Sequence, residues 1–375
     1  MTLASALVSG NDPDPRLAED AVDEALAKSG LQHANGVLLF LTPEFAHNAQ
    51  EILTAVARRT QCLQVAGGIA SGVFTESGWA LDRPAAAAMI LGGRFSLGHP
   101  DHPEDPILSY AGSTIPALWA NSGRRFGGAF GSTFAVRPTN ANAVAWQHTR
   151  LAGEAGCSVQ LHGADIAVAV SHGWKRLGKP QTVEESHGYD IHRLGGMPPL
   201  KNLLALLPTA FRNEPERHLH QIIALVSEEN SQPDDTNDEA CCPVALISAN
   251  ADQTLTLAER IAPGRHLTWA IRLPETAEAD MRQSIDRLAT RRQEAGRTPS
   301  AALVFSCIGR SPFFYGGEDR DLKAVTERFP GLPVIGVYGT AQIAPRSAHS
   351  DADNRQFQNT VVTALVSPQP ETENV

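Results

Sequence analysis

One pattern occurs twice in this chain and constrains its fold more than any other feature. An uninterrupted apolar run is followed by an amphipathic helical stretch and then by a second apolar run broken by glycines. The first copy opens at residues 36–41, Gly-Val-Leu-Leu-Phe-Leu, which reads as a strand buried on both faces. Thr42-Pro43 then starts a helix with Phe45, Ala49, Ile52 and Val56 at helical spacing. Residues 63–74 return as a strand interrupted by Gly67, Gly68 and Gly72. The second copy begins at the buried-type strand 301–305 and passes through a loop at Gly316-Gly317. Leu322, Val325 and Phe329 mark its helix, and strand 333–338 follows, bent at Gly336 and Gly339. The shared order predicts a divergent internal duplication. The expected fold is α/β with mixed (α+β) sheets: two related halves packed pseudo-symmetrically, with helices covering the sheets.

Flanking segments complete this picture. Residues 3–8 read as a first strand. Asp12-Pro13-Asp14-Pro15 opens a helix with the stripe Leu17, Ala21 and Ala25, which Gly30 ends. Strands are expected at 86–91, 128–136, 244–248 and 266–273. A hairpin is expected over 159–170, turning at 162–165. Met281, Ile285 and Leu288 mark another helix, closed by Gly296. Residues 227–240 carry acidic side chains with no Lys or Arg and read as a solvated loop. Residues 367–375 read as a tail.

Composition narrows the function. The formal net charge is -10, so the chain repels phosphate backbones and nucleic acid is not an expected partner. The short basic runs Arg58-Arg59, Arg124-Arg125 and Arg291-Arg292 read as solvated helix ends or turns. Cys62, Cys157, Cys241, Cys242 and Cys307 are too few and too scattered for a disulfide framework, and no CxxC spacing suggests zinc. There is no basic leader and no apolar run of the roughly 18 residues a membrane span requires, so a cytoplasmic, membrane-free protein is expected.

Catalytic signatures are missing. The chain contains no GxSxG elbow, no HExxH and no Walker lysine. Gly92-Gly93-Arg94 and Gly127-Gly128 do not open a helix at dinucleotide-binding spacing. Cys307 follows an apolar strand and reads either as a reactive thiol or as a small buried hydrophobe. Arg310, just beyond it, reads either as a carboxylate- or phosphate-binding fork or as a structural partner of Glu318 or Asp319. The glycine bends at 67–72 and 336–339 would let backbone groups approach a ligand in one cleft, or serve only as turns and bulges. Among the histidines, His99 with His102 and His218 with His220 are the densest pairs. CxxCH is absent, so covalent haem is not indicated, whereas a b-type haem needs only one axial histidine.

Six segments together resemble the FIST family. Residues 65–73, Val-Ala-Gly-Gly-Ile-Ala-Ser-Gly-Val, are similar to the glycine-serine turn of the FIST N-terminal domain. Residues 173–180 match its Gly-Trp-x-x-x-Gly-x-Pro segment, and 194–200 resemble the linker into the C-terminal domain. Residues 305–310, Phe-Ser-Cys-Ile-Gly-Arg, are similar to the matching element of FIST C-terminal domains. Residues 333–339 resemble the strand and turn that follow, and 357–362 the closing strand. The resemblance implies a FIST N-terminal-like domain over 1–195 and a C-terminal-like domain over 196–366. It implies a non-catalytic, sensory signal-input protein holding a small molecule, such as an amino acid, between its halves. The residues it places at the ligand are Gly67, Gly68, Ser71, Gly72, Ser306, Cys307, Arg310, Gly336, Tyr338, Gly339 and Gln342. It also admits haem b, because some bacterial members are described as haem-bearing nitric oxide sensors. No kinase, cyclase or methyl-acceptor segment is attached, so the output would pass through a separate protein such as a histidine kinase or cyclase. Family members often carry Glu where this chain has Gln342. The amide keeps the shape but loses the charge that would pair with a ligand ammonium. A thiol-dependent enzyme using Cys307 and a ligand-free interaction scaffold are the alternatives from other classes.

Overall fold

The computed structural model describes residues 2–102, 104–111, 116–130, 145–152, 156–212, 215–227, 241–345 and 353–370. The chain divides into two compact units, one of Met1–His172 with Met281–Val375 and the other of Gly173–Asp280. In chain order the first unit begins with β1 (Leu3–Ser9), α1 (Arg16–Ser29), β2 (Gly36–Leu41), α2 (Ala49–Thr60) and β3 (Val65–Ile69). It continues with β4 (Gly72–Thr75), β5 (Gly78–Leu81), β6 (Ala85–Leu91), β7 (Ser96–Gly98), β8 (Ile107–Ala111) and β9 (Arg125–Ala129). β10 (Ala145–Gln147), β11 (Arg150–Ala152), β12 (Cys157–His162) and β13 (Ala164–Ser171) complete that stretch. The second unit holds β14 (Trp174–His187), β15 (Asp190–Leu194), α3 (Pro199–Leu206), α4 (Thr209–Arg212), β16 (Ile222–Ser227), β17 (Cys241–Ala249), β18 (Leu255–Leu257) and β19 (His266–Arg272). After α5 (Pro274–Glu294) come β20 (Ala301–Cys307), α6 (Arg320–Arg328), β21 (Val334–Gly339), β22 (Ala341–Pro345), β23 (Asn354–Phe357) and β24 (Val361–Pro368).

The duplication is written in the sheets of the first unit. One sheet runs β1-β6-β2-β3-β10-β11, and another runs β13-β24-β20-β21-β4-β5. In both, two antiparallel pairings lead to one parallel pair, β2–β3 or β20–β21, and two antiparallel pairings follow. The second unit lies in the chain where the first copy passes directly from β1 to α1. Each sheet buries one face under its own helices. Val37, Leu39 and Val65 meet Ala18, Val22, Ile52 and Val56 of α1 and α2. Ala302, Val304 and Val334 meet Met281, Ile285, Leu288, Leu322 and Val325 of α5 and α6. Burying each such Val, Leu or Ile contributes roughly 1.5–3 kcal/mol, which holds these helices where propensity alone would not. α1 ends as its sequence predicts: Gly30 adopts the left-handed conformation (φ 73°) and returns its N–H to the last turn. α6 is capped by Asp319, which accepts a hydrogen bond from the Leu322 N–H. The inner faces of both sheets share one core with a third sheet, β23-β22-β9-β8-β12-β7.

Several local expectations are corrected. Residues 63–74 are not one interrupted strand. β3 stays in the first sheet, and the chain then crosses to the second, where β4 pairs with β21. Residues 159–170 are not a hairpin: β12 pairs with β7 and β8, whereas β13 pairs with β24. The helix expected from Thr42 is a short 3-10 turn at Pro43–Phe45, and α2 starts only at Ala49. β24 runs on to Pro368 with Ser367 buried, because Asp165 and Ala164 of β13 pair with those residues. The segment expected as a strand over 128–136 is β9 up to Ala129, and its remainder from 131 lies outside the described residues, as do 228–240 of the acidic loop.

The second unit is a closed six-stranded barrel, β14-β15-β18-β17-β16-β19. The Gly-Trp-x-x-x-Gly-x-Pro segment is the first half of β14. Its pairing with β19 slips between Leu177 and Gln181, where Gly178 has φ 78° and Pro180 cannot donate to the ladder. This bulge lets β14 pair first with β19 and then with β15, which closes the barrel. Leu177, Val183, Leu203, Val244 and Trp269 fill the interior. Asn202 of α3 is buried there, accepting from the Trp269 indole N–H at 3.1 Å and donating to Gln181. Gly195 and Gly196 make the left-handed turn from β15 into α3, so the segment 194–200 lies within this unit.

Candidate ligand-binding site

A pocket of about 790 Å³ opens in the first unit where several strand ends meet. Pro43 and Ala46 follow β2, Ala70 and Ser71 follow β3, Phe130 follows β9, and Ile308, Gly309, Ser311, Phe313 and Phe314 follow β20. Leu81 and Asp82 close the side at the end of β5. β2, β3, β9 and β20 each belong to a parallel pair, and the crevice beyond the carboxyl ends of such strands is where α/β sheets bind ligands. Both copies of the duplication contribute, because β2 and β20 are equivalent strands.

The lining is apolar except for Ser71, Ser311, Asp82 and main-chain groups. Asp82 is the one ionisable side chain among the described lining residues, and it is exposed at the rim. A buried ligand anion would find no side-chain cation there, whereas a neutral molecule meets no such cost. Phe313 is 65% exposed at the mouth. Beneath Phe130 lies an aromatic cluster, with Tyr110 stacked on Phe130 at 5.6 Å and Phe40 edge-on to both.

Of the residues that the sequence places at a ligand, Ser71 lines this pocket. The two glycine bends do meet: the Ser71 N–H donates to the Tyr338 carbonyl, and Gly72 pairs with Tyr338. The glycines themselves serve packing. A Cβ on Gly336 would lie 2.1 Å from the Phe74 ring, one on Gly72 2.3 Å from Leu81, and one on Gly339 2.6 Å from the Ala129 carbonyl. Gly67 (φ 153°) presses on the Leu39 carbonyl across the parallel pair, and Gly68 sits beside it in β3, opposite Phe40.

Arg310 is a structural cation. It is 1% exposed and forms a fork on Asp321, with Nε donating to Oδ2 at 3.0 Å and Nη2 to Oδ1 at 2.6 Å. Its Nη1 donates to the Ser171 carbonyl and hydroxyl at 3.0 Å, and Nη2 also reaches the Tyr315 hydroxyl. The partner is Asp321 rather than Glu318 or Asp319, because Asp319 is occupied as the cap of α6 and accepts the Tyr338 hydroxyl. Burial, and then the nearby Asp321, push Asp319 up to about 6; burial and Asp319 also raise Tyr338. Ser306 is buried on the helix side of β20. Cys307 is 4% exposed, and its thiol faces the Thr340 carbonyl and Asn359 Oδ1, each at 3.9 Å. Neither partner is a base, so the nucleophile arrangement of thiol and base is not formed by them. Gln342 is fully buried in β22, with Oε1 accepting from the Thr360 hydroxyl at 3.1 Å.

The signal that sequence reasoning missed was the set of loops after the parallel strands. Phe313-Phe314, following Pro312 beyond β20, is its most visible member. No His, Cys or Met stands among the described lining residues, so this pocket offers haem no axial ligand. A second, more open pocket of about 700 Å³ brings His99 against His148 with ring centres 4.5 Å apart, a pairing that sequence spacing did not suggest. Burial and His99 lower the pKa of His148. Among the described residues no group of three or more His, Cys, Asp or Glu could hold a metal ion, and no helix is long and apolar enough to cross a membrane.

A duplicated mixed-sheet unit with a strand-end pocket and a six-stranded barrel define an α/β protein of mixed sheets. The particular family is FIST: the FIST N domain model matches residues 35–197 and the FIST C domain model residues 206–345, and the chain belongs to that family. FIST domains are associated with signal transduction and small-ligand sensing. The boundary between the two matches falls inside the barrel, so family domains and compact units divide the chain differently. An uncharacterized protein of Mycobacterium tuberculosis is 27% identical over 198 residues; the match covers 51% of this chain and 49% of that relative, so the chain spans about half its length. An uncharacterized protein of Mycobacterium bovis is 26% identical over 292 residues, covering 74% of this chain and 72% of the relative.

Proposed function

We propose that this chain is a non-catalytic receptor that seats one small, largely apolar molecule in the strand-end pocket of the first unit and passes the binding event to a separate signalling protein. The observation that carries the reading is the pocket itself. It is about 790 Å³, within the range of small-molecule sites, and is assembled from equivalent strand ends of both duplicated copies. The buried Arg310–Asp321 pair and the buried Cys307 favour binding over chemistry, since neither presents a reactive group to the cavity. A kinase or cyclase is the output partner that the family resemblance suggests.

A thermal-shift screen tests this. The panel contains amino acids, organic acids, neutral aromatic and aliphatic molecules, and haem. At a ligand concentration of about 100 times Kd, binding to the native state adds about 2.7 kcal/mol and raises Tm visibly. Neutral apolar-bodied compounds should stabilise the protein and organic acids should not. A flat response across the panel would leave the scaffold reading in place.

A further inference from the structure

One row of side chains crosses the third sheet. Cys157 of β12 pairs with Tyr110 of β8, Tyr110 with Gly128 of β9, Gly128 with Gln342 of β22, and Gln342 with Phe357 of β23. Residues in register point to the same face. That face is the central core, since Cys157, Tyr110, Phe357 and the in-phase Phe126 and Ala344 all belong to it. Ala129, Ala341 and Ile343 form a separate cluster on the other face.

Two polar groups on this row are buried and have no hydrogen-bond partner among the described residues: the Tyr110 hydroxyl and Gln342 Nε2. Both residues are 0% exposed. Buried polar groups are nearly always paired, and each orphan demands a reason. These two flank Gly128, the one position of the row with no side chain. The space above Gly128 is taken by aromatic rings, since a Cβ there would lie 3.0 Å from Phe130 and 3.5 Å from Phe305. Phe130 also lines the pocket. Phe130 therefore touches both the cavity and the position that the two donors flank.

We propose that Tyr110 and Gln342 are the polar recognition groups of this site, and that the ligand class is an apolar-bodied molecule bearing an uncharged hydrogen-bond acceptor, such as a ketone or amide carbonyl. The inference rests on the pocket reading above. The ligand displaces the Phe130 ring, and its carbonyl oxygen, which has two lone pairs, accepts from the hydroxyl on one flank of Gly128 and the amide on the other. Thr360 holds the amide in place through Gln342 Oε1. An ionised acceptor is disfavoured because the described lining supplies no cation.

Acetophenone and ethylbenzene, which differ at the acceptor, serve as probes. Binding is measured by ligand-observed NMR with wild type, Tyr110→Phe, Gln342→Met and the pocket-filling variant Ala46→Trp. The proposal expects acetophenone to bind wild type at least 10-fold more tightly than ethylbenzene, with the preference lost in Tyr110→Phe and Gln342→Met. Tyr110→Phe should also match or exceed the ligand-free Tm of wild type, because it removes an unpaired buried donor and breaks no hydrogen bond. Equal binding of the two probes, or no binding of either, overturns the donor row. A fall in the ligand-free Tm of Tyr110→Phe also overturns it, since the hydroxyl would then be satisfied within the fold. Binding that Ala46→Trp leaves unchanged sinks the pocket reading instead, which keeps the two failures distinct.

Discussion

Replacing Arg310 with Met separates the two roles that the sequence left open for this residue. The guanidinium and the Asp321 carboxylate are 1% and 2% exposed. Met restores most of the apolar volume but leaves the carboxylate buried without its cation, with the Tyr315 hydroxyl donating to it at 2.9 Å. Breaking one side of such a pair costs about 3–5 kcal/mol, because the remaining charge is stranded in low dielectric. With a urea m-value of about 3 kcal/mol/M, the unfolding midpoint should fall by about 1–1.7 M. Stranded, Asp321 is better protonated, so the variant should recover stability as pH falls. The double variant Arg310→Met/Asp321→Leu should regain most of the loss, since an apolar replacement of a buried pair is often neutral. Urea unfolding followed by tryptophan fluorescence, at pH 7 and at lower pH, reads all three. A single variant that costs under about 1 kcal/mol yet loses ligand-induced stabilisation would refute this reasoning and restore Arg310 as a ligand clamp.

Gly336→Ala should destabilise by about 1–3 kcal/mol by driving a methyl into the Phe74 ring, with partial rescue by Phe74→Leu, as read from urea midpoints. Asp319 has its carboxyl raised from 3.8 to about 6 by burial and by Asp321. Between these pH values the folded state holds a proton that the unfolded state has released, so stability should fall as pH rises through that window, by roughly 2–3 kcal/mol in all. Asp319→Asn should flatten that slope, which a series of Tm values across the window will show. Cys307, at 4% exposure, should react with a thiol reagent far more slowly in the native protein than in urea; native labelling as fast as free cysteine would revive the enzyme alternative.

The sequence made the layers legible because hydrophobic periodicity is local. The runs at 36–41 and 301–305, the stripes of α1 and α6 and the glycine stop at Gly30 all read correctly from short windows. Sheet membership did not, because it is decided by distant partners. Nothing within 63–74 says that β4 will pair with β21 more than 250 residues away, or that β12 and β13 part company after a turn that looks like a hairpin. The site was half legible for the same reason. The glycine bends lie side by side, with Gly336, Gly72 and Gly339 packed closely against Phe74, Leu81 and Ala129, contacts which a sequence window cannot contain. Arg310 read either as a ligand fork or as a structural partner of Glu318 or Asp319, and its carboxylate is Asp321 on the next helix. The pocket walls, Phe130 and Phe313-Phe314 among them, are ordinary apolar residues whose role comes only from where their strands end.

The central claim is that the cavity where β2, β3, β9 and β20 end holds the ligand. It is tested most directly by isothermal titration of the strongest stabiliser from the screen against wild type and Ala46→Trp. Ala46 is half-buried at the end of the short turn after β2, so an indole there fills the cavity without entering the core. The account predicts one site per chain in wild type and at least a 100-fold loss of affinity in the variant, with its ligand-free Tm unchanged. Equal affinities for the two proteins would place the ligand elsewhere and contradict the account.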